Sequence, residues 1–197
     1  MHFIGRITQV QVQRSSLKVG ERSQRYYDPS PLLVVSCLLL TRRGVIGITP
    51  TGERIIDVHH GDHPASRNRD ENDISLGFTG HYEAMRARFG PHLFNGIAGE
   101  NILVEAEGHA LDDLAGGLAI QTATGQLISL TEIEVATPCV PFSQFAAGDV
   151  LSNQRLKETL QFLHNGRRGF YAKLAHTQQE AEVQAGDSVY AAEVSPS

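Results

Sequence analysis

The chain has 197 residues, of which 41% are hydrophobic, enough to bury a core of ordinary domain size. Its formal net charge of −5 argues against a general binder of nucleic acids or of anionic membranes. No apolar run approaches the ~20 residues of a membrane-spanning helix, and no signal peptide is visible. The two cysteines form no disulfide framework, so we expect a reducing, cytoplasmic setting.

The first half of the chain predicts strands separated by polar segments. Apolar residues alternate over 3–12 and predict the first strand. The polar composition of 14–31 predicts a loop or insertion. The run LLVVSCLLL at 32–40 predicts one fully buried strand. The expected elements that follow are a hairpin turn at 41–44, strands at 45–48 and 53–59, and a polar loop at 60–73.

The second half predicts two helices among further short strands. A helix is expected at 81–89, with Thr79 as its cap, and another at 153–164. Strands are expected at 101–105, 118–122, 170–174 and 188–194. So many short strands and so few helices favour one mainly β domain over 1–197, built as a closed β-barrel rather than a parallel α/β sheet. Closing the sheet would also protect its edges.

The stretch 126–145 predicts a long strand that bends and then stops. Two apolar pairs lie on opposite parities, so we expect a bulge near 131–132; the pairs are Ile128 with Leu130, and Ile133 with Val135. Proline cannot donate to a sheet ladder, so Pro138 and Pro141 should end the pairing.

The two prolines bracket Cys139, which is the first candidate for chemistry. One interpretation is an ordinary buried thiol, because free cysteine packs as a small hydrophobe. The other is a thiolate that attacks a substrate or binds a soft metal, and this needs access and a lowered pKa. Cys37 lies within the apolar run and is interpreted as structural.

A histidine cluster at 58–63 leaves three interpretations open. His59 and His63 have the i, i+4 spacing of a helical zinc pair, but Gly61 and Pro64 oppose a helix there. The alternatives are a loop that donates Asp62 or His63 to a pocket, and a solvated turn.

Two further loops carry candidate ligand contacts. In the first, Gly99 precedes Glu100 and Asn101; glycine lets backbone amides approach a ligand, and the polar side chains can fix its polar groups. In the second, Arg167 and Arg168 place two guanidinium groups in a tight turn suited to phosphate, or simply to solvent. No phosphate-binding P-loop, dinucleotide fingerprint or nucleophile elbow occurs, whereas Ser/His/Asp and Cys/His sets stay open.

Four segments together resemble the MOSC domain, named from the C-terminal domain of molybdenum cofactor sulfurase. The resemblance spans about 34–194 and implies a closed or nearly closed β-barrel of the pyruvate-kinase-barrel type. Its motifs are HGDH at 60–63, FNGIAGENI at 94–102, ATPC at 136–139, and RGFY at 168–171 followed by GDSV at 186–189.

The resemblance implies that Cys139 carries activated sulfur or ligates the molybdenum of a pterin cofactor. Relatives that hold this cofactor reduce N-hydroxylated compounds, so an electron-donor or sulfur-transfer protein is an expected partner. It also implies a cofactor-binding set of His63, Asp62, Gly99, Glu100, Asn101, Arg167, Arg168 and Tyr171. No lysine context supports pyridoxal phosphate.

Two alternatives to this molybdenum-dependent oxidoreductase or sulfur-transfer function stay open. The chain has no room for the companion domains of larger relatives, which favours a non-catalytic carrier or interaction module. A metal-free enzyme with Cys139 as its nucleophile is the other, and it requires a low thiol pKa.

Overall fold

The computed structural model describes residues 1–21, 24–66 and 73–192, and most of its regular structure is β. Its strands are β1 (His2–Gln13), β2 (Lys18–Val19), β3 (Tyr26–Tyr27), β4 (Leu32–Val34), β5 (Cys37–Thr41), β6 (Gly44–Ile48), β7 (Arg54–Ile56), β8 (Ile74–Phe78), β9 (Ile102–Glu105), β10 (Leu118–Gln121), β11 (Leu127–Val135), β12 (Phe170–Leu174), β13 (Glu180–Gln184) and β14 (Ser188–Ala191). Its helices are α1 (Thr79–Phe89), α2 (Val140–Ala147), α3 (Asn153–Leu163) and a 3₁₀ turn at Leu111–Leu114.

Seven strands close into a barrel in the order β1, β14, β10, β11, β12, β8, β9 and back to β1. Only the β8–β9 pair in this ring is parallel, and the other neighbours are antiparallel. Closure leaves no free edge in the ring. The predicted mainly β class and closed barrel are therefore confirmed.

The barrel interior is filled by one parity of side chains from each strand. Ile7 of β1, Val104 of β9, Ile120 of β10 and Phe170 of β12 are all buried in this cluster. Along β8 every residue is buried, because this strand is covered on both faces. The strand is preceded by the polar loop and was not predicted.

The apolar run 32–40 is not one strand, and this prediction is wrong. β4 pairs with β1 beside the barrel, whereas β5 belongs to a second sheet ordered β13-β5-β6-β7. The chain changes sheets at Val35 and Ser36, whose amides donate to Val10 O and Ile48 O respectively. The hairpin between β5 and β6 is confirmed, with Thr41 opposite Gly44.

The bend in β11 is confirmed. Pairing with β12 shifts register between Thr131 and Glu134. Glu132 has φ 51°, a left-handed conformation, and its carboxylate accepts from Lys173 Nζ at 2.7 Å. The extra residue therefore turns the strand before it ends at Val135.

Helix α2 was not predicted, because 126–145 was interpreted as strand up to its break and no helix was assigned after it. Pro141 lies in the first turn, where a missing amide proton costs nothing. Gly148 ends the helix with φ 66°. Phe142 and Ala146 face a second apolar cluster, which α2 covers together with α1.

The two predicted helices are present as α1 and α3. Thr79 does not cap α1: its hydroxyl donates to Ala106 O, and Phe78 occupies the N-cap position. Among the helices of the described residues, none has the length and apolarity required to cross a membrane.

The segment predicted as a loop or insertion contains the hairpin of β2 and β3. Leu17 and Tyr27 of this hairpin are buried in the second apolar cluster. Tyr27 packs edge-on against Phe142 of α2, with ring centroids 5.0 Å apart. The hairpin is thereby fixed against the helix that begins beside Cys139.

Candidate functional site

A cavity of about 500 Å³ opens between the β2–β3 hairpin, the end of β1, the loop after β7 and the start of β12. Its described wall includes three cationic residues: Lys18 and Arg25 from the hairpin, and Arg168 from the turn before β12. Polar and neutral wall residues are Gln13, Ser75, Tyr27, Gly99 and Tyr171, together with His59. Among the described residues no carboxylate lines this cavity, although the chain as a whole is acidic.

Glutamine side chains on one face of β1 hold the glycine-containing loop at 94–101 against this strand. Gln11 Nε2 donates to Gly96 O at 2.7 Å and to Glu100 O at 2.8 Å, and Gln13 Nε2 donates to Gly99 O at 2.7 Å. Gly99 has φ +94°, and a Cβ there would lie 2.9 Å from Gln13 Nε2. Only glycine fits this close, left-handed approach to the cavity wall.

Arg168 is the cationic wall residue that packs against helix α2. Its guanidinium lies 5.1 Å from the centroid of the Phe142 ring, a cation–π contact, and the side chain is half-buried. Among the described residues it has no salt bridge and no side-chain hydrogen bond. Burial works against the charge, but the surrounding Tyr27, Tyr171 and Glu100 outweigh it and raise the pKa of Arg168.

Glu100 lies under this turn and not in the cavity wall. It is 2% exposed; Tyr82 donates to its Oε2 at 2.6 Å, and its Oε1 has no hydrogen-bond partner. Burial raises the pKa of Glu100, against the opposing effects of the Arg168 charge and the Tyr82 hydrogen bond. Glu100 therefore interacts with Arg168 electrostatically but makes no salt bridge with it.

Asp57 and His59 form a second polar group at the cavity. Asp57 is buried, and its Oδ2 accepts from the Gln13 amide at 2.7 Å and from Asn101 Nδ2 at 3.0 Å. Its Oδ1 accepts from the His59 amide at 2.9 Å and faces His59 Nδ1 at 3.0 Å. Asn101 in turn accepts from Ser75 Oγ at 2.8 Å, so the group is tied to β8.

Cys139 occupies the N-cap position of α2, half-buried against the second apolar cluster. Its carbonyl accepts from the amide and the hydroxyl of Ser143, each at 2.9 Å. Cys139 is not a wall residue of the cavity. Tyr27 links the two, since it lines the cavity and interacts electrostatically with the thiol. The Tyr27 hydroxyl donates to Ile97 O at 2.7 Å, and burial raises its pKa.

The structure places the other predicted residues in different surroundings. Gly99 and Tyr171 line the cavity with Arg168, whereas Asn101 supports Asp57 from behind the wall. The three that lie outside it are Arg167, which donates to Phe162 O at 2.8 Å, Asp62, which pairs with Arg43 at 2.6 Å, and His63, whose Nδ1 accepts from the Ala65 amide at 3.1 Å.

Several residues of the site were not predicted as such. Asp57 stands directly before the histidine cluster, and an acidic residue two positions from a histidine was a usable signal. The alternation of Gln9, Gln11 and Gln13 along β1 was another. Tyr27 gave no signal. No group of three His, Cys, Asp or Glu side chains with metal-binding geometry occurs within 1–21, 24–66 and 73–192, so the proposed zinc pair has no third ligand there.

The closed barrel and the ATPC turn before α2 define a MOSC-type β-barrel protein. The family model of the MOSC domain matches residues 57–190, about two thirds of the chain, and the chain belongs to this family. The β2–β3 hairpin precedes the matched region.

Solved structures share this fold at low sequence identity. The YuaD protein from Bacillus subtilis superposes with a TM-score of 0.51 at 13% identity, covering 94% of this chain and 97% of that one. YiiM from Escherichia coli gives a TM-score of 0.50 at 13% identity, covering 96% of this chain and 70% of that one. At such identities the likeness shows the fold alone. A search of curated proteins returned no significant match.

Proposed function

We propose that the cavity binds a molybdenum–pterin cofactor, with Arg168 holding its phosphate and Cys139 supplying a sulfur ligand. The observation that carries the proposal is Arg168: a half-buried cation in a cavity wall with no paired carboxylate among the described residues. An arginine so placed favours an anionic ligand, because planar guanidinium donors match phosphate oxygens.

The cavity suits such a ligand in size and charge. Its volume of about 500 Å³ lies within the ~300–1,000 Å³ typical of small-molecule sites. Lys18 and Arg25 add positive charge to the wall that contains Arg168, and Tyr171 adds a side chain whose hydroxyl can donate and accept. The buried Gln13 and Gly99 present a preformed wall.

The thiol of Cys139 would meet the cofactor from the Tyr27 side. Thiolate is the protein ligand that soft metals prefer, and the resemblance assigns this role to the same cysteine. When bound, the cofactor would supply two-electron chemistry that removes oxygen from N-hydroxylated compounds. The chain itself would bind the phosphate, orient the group and exclude water, and a partner protein would supply electrons.

The test is the metal and pterin content of gently purified protein. We expect molybdenum and oxidised-pterin fluorescence in the wild type, and a loss of both in Arg168→Met. Cys139→Ser should keep pterin and lose molybdenum. Cys37→Ser is the matched control, since this second free cysteine lies on β5 and lines a different cavity. Equal molybdenum in wild type and Cys139→Ser would remove the thiol from the role of essential ligand, and none in any sample would sink the proposal.

A second candidate is a sulfur carrier, favoured by the half-exposed Cys139 outside the cavity wall. In that function the Cys139 thiolate takes the terminal sulfur of a donor's persulfide, and the donor's own sulfur leaves as a thiolate. Mass spectrometry after incubation with a persulfide donor should show one added sulfur on wild type and on Cys37→Ser, but none on Cys139→Ser. Equal labelling of Cys139→Ser would contradict it.

A further inference from the structure

We propose that His59 donates a proton to, and accepts one from, the ligand in the cavity, with Asp57 as the residue that positions it. The inference rests on the proposed function, since it concerns a ligand in the same cavity. It adds a class of ligand: one with an anionic group for Arg168 and a protonatable oxygen or nitrogen at the His59 end.

Hydrogen bonds other than the one to the His59 ring hold the Asp57 carboxylate in place. The Gln13 amide and Asn101 Nδ2 occupy one carboxylate oxygen, and the His59 amide shares the other with the imidazole. All four neighbours are nitrogen atoms positioned to donate, so the carboxylate accepts from every side. Nδ1 of His59 therefore carries the hydrogen, which leaves Nε2 with a free lone pair.

Nε2 of His59 is not buried, and its side chain belongs to the cavity wall. The side chain is 37% exposed. Nε2 has no hydrogen-bond partner among the described residues, yet it is not one of the buried unpartnered atoms, which are His81 Nδ1 and Glu100 Oε1. A nitrogen with a free lone pair, a fixed ring and access to a ligand meets the geometric requirement for a general base or acid.

Asp57 and His59 do not form a serine-hydrolase triad with Ser75. Ser75 lines the cavity, but its hydroxyl donates to Asn101 Oδ1 at 2.8 Å and accepts from the Asn101 amide at 3.0 Å. Its proton is therefore committed to Asn101 and not to His59. The proton that His59 handles belongs to the ligand.

Charges around His59 come from several elements. Asp57 is the carboxylate in contact with it, and within the described part of the wall the other titratable groups are Lys18, Arg25, Tyr27, Arg168 and Tyr171. In the forward step Nε2 takes the proton from the ligand oxygen or nitrogen and the ring becomes imidazolium, while the hydrogen on Nδ1 stays in the hydrogen bond to Asp57. The reverse step returns it, so no electron and no other reactant is required.

The first measurement is the tautomer of His59 in the wild type, from two-bond ¹H–¹⁵N spectra of labelled protein. His59→Gln assigns the signals. We expect the Nδ1–H form. An Nε2–H form would overturn the inference whatever else is found.

The second measurement uses sulfate, a dianion that does not titrate between pH 6 and 8. Calorimetry in two buffers of different ionisation enthalpy gives the protons taken up on binding. We expect uptake of a fraction of a proton and binding about two- to fivefold tighter at pH 6 than at pH 8, the size of a partly screened ion pair. His59→Gln should still bind sulfate but lose this dependence, and the exposed His176→Gln should keep it.

The outcomes separate the two proposals. Unchanged proton uptake in His59→Gln refutes the role of His59 and leaves the anion site intact. No sulfate binding by the wild type refutes the anion site, and the tautomer then decides for or against the Asp57–His59 pair.

Discussion

Asp57→Asn should destabilise the protein strongly, although it removes only one charge. The carboxylate accepts from four nitrogens, with two at each oxygen. An asparagine can place its oxygen toward Gln13 and Asn101, which puts its amide group against the backbone N–H and the ring of His59. The ring can adapt by moving its hydrogen to Nε2, but the backbone N–H cannot.

The expected cost follows from these contacts. One donor left unpaired costs roughly 1–3 kcal/mol, and two charge-assisted bonds become neutral ones at about 1 kcal/mol each. Relief from burying the carboxylate offsets part of this, so we expect a loss of about 2–3 kcal/mol in the free energy of unfolding. The same substitution should switch His59 to the Nε2–H tautomer.

Urea unfolding followed by far-UV circular dichroism measures this loss, since the chain has no tryptophan. Asp62→Asn is the matched control: Asp62 lies in the same loop, is 52% exposed and, among the residues that the structure describes, pairs with Arg43 and His60 alone. Its loss should stay within about 1 kcal/mol, as for surface ion pairs. Equal losses in the two variants would refute the assignment of Asp57 as the anchor of the site.

Three further outcomes are expected. Arg168→Met should weaken sulfate binding about 10- to 100-fold, because it removes a charge-assisted contact of ~1.5–3 kcal/mol. Calorimetry should show a smaller loss of sulfate affinity for the control Arg167→Met. Equal losses in the two variants would contradict the assignment of Arg168 to the cavity wall. Gly99→Ala should lower the free energy of unfolding by about 2 kcal/mol, because alanine must adopt a positive φ and press on Gln13; an unchanged urea midpoint would count against this. Because burial raises the pKa of Glu100, the folded state keeps that proton when the unfolded state has lost it, and wild-type stability falls as pH rises above ~4.3. Glu100→Gln should therefore gain stability relative to wild type as pH rises above ~4.3, and a parallel pH dependence of the two proteins would refute the carboxylate as the cause.

Local hydrophobic periodicity was sufficient to predict the elements whose apolar side chains all pack against the same part of the core. The switch of apolar parity in β11 located the bulge at Thr131–Glu132, because side chains on either side of it must still reach the barrel core. The 3.6-residue pattern located α3 to within one residue. These features depend on short-range geometry that the residues themselves determine.

Prediction failed where distant contacts decide the conformation. Nothing in LLVVSCLLL marks the change of sheet at Val35 and Ser36, which is enforced by hydrogen bonds to Val10 and Ile48. Helix α2 is short and apolar, so its pattern does not differ from that of a buried strand. The helix packs its Phe142 against Tyr27, and this contact joins segments more than one hundred residues apart, which no local pattern reveals.

The site could be predicted by region rather than by residue. Sequence motifs located the loops that carry Gly99 and Arg168, both of which line the cavity. Within each loop the direction of a side chain depends on turn geometry, so adjacent residues such as Arg167 and Arg168 have different partners. For the same reason the histidine cluster presents His59 to the cavity, whereas Asp62 turns toward Arg43.

The most direct test of the central claim is a crystal structure of the protein with selenate, located by anomalous scattering of selenium. Selenate has the charge and shape of sulfate, so the claim predicts a peak in the cavity within hydrogen-bonding distance of the Arg168 guanidinium. The same peak should be missing from Arg168→Met. Selenate bound only at the outer surface, or in the cavity equally with and without this guanidinium, would contradict the assignment.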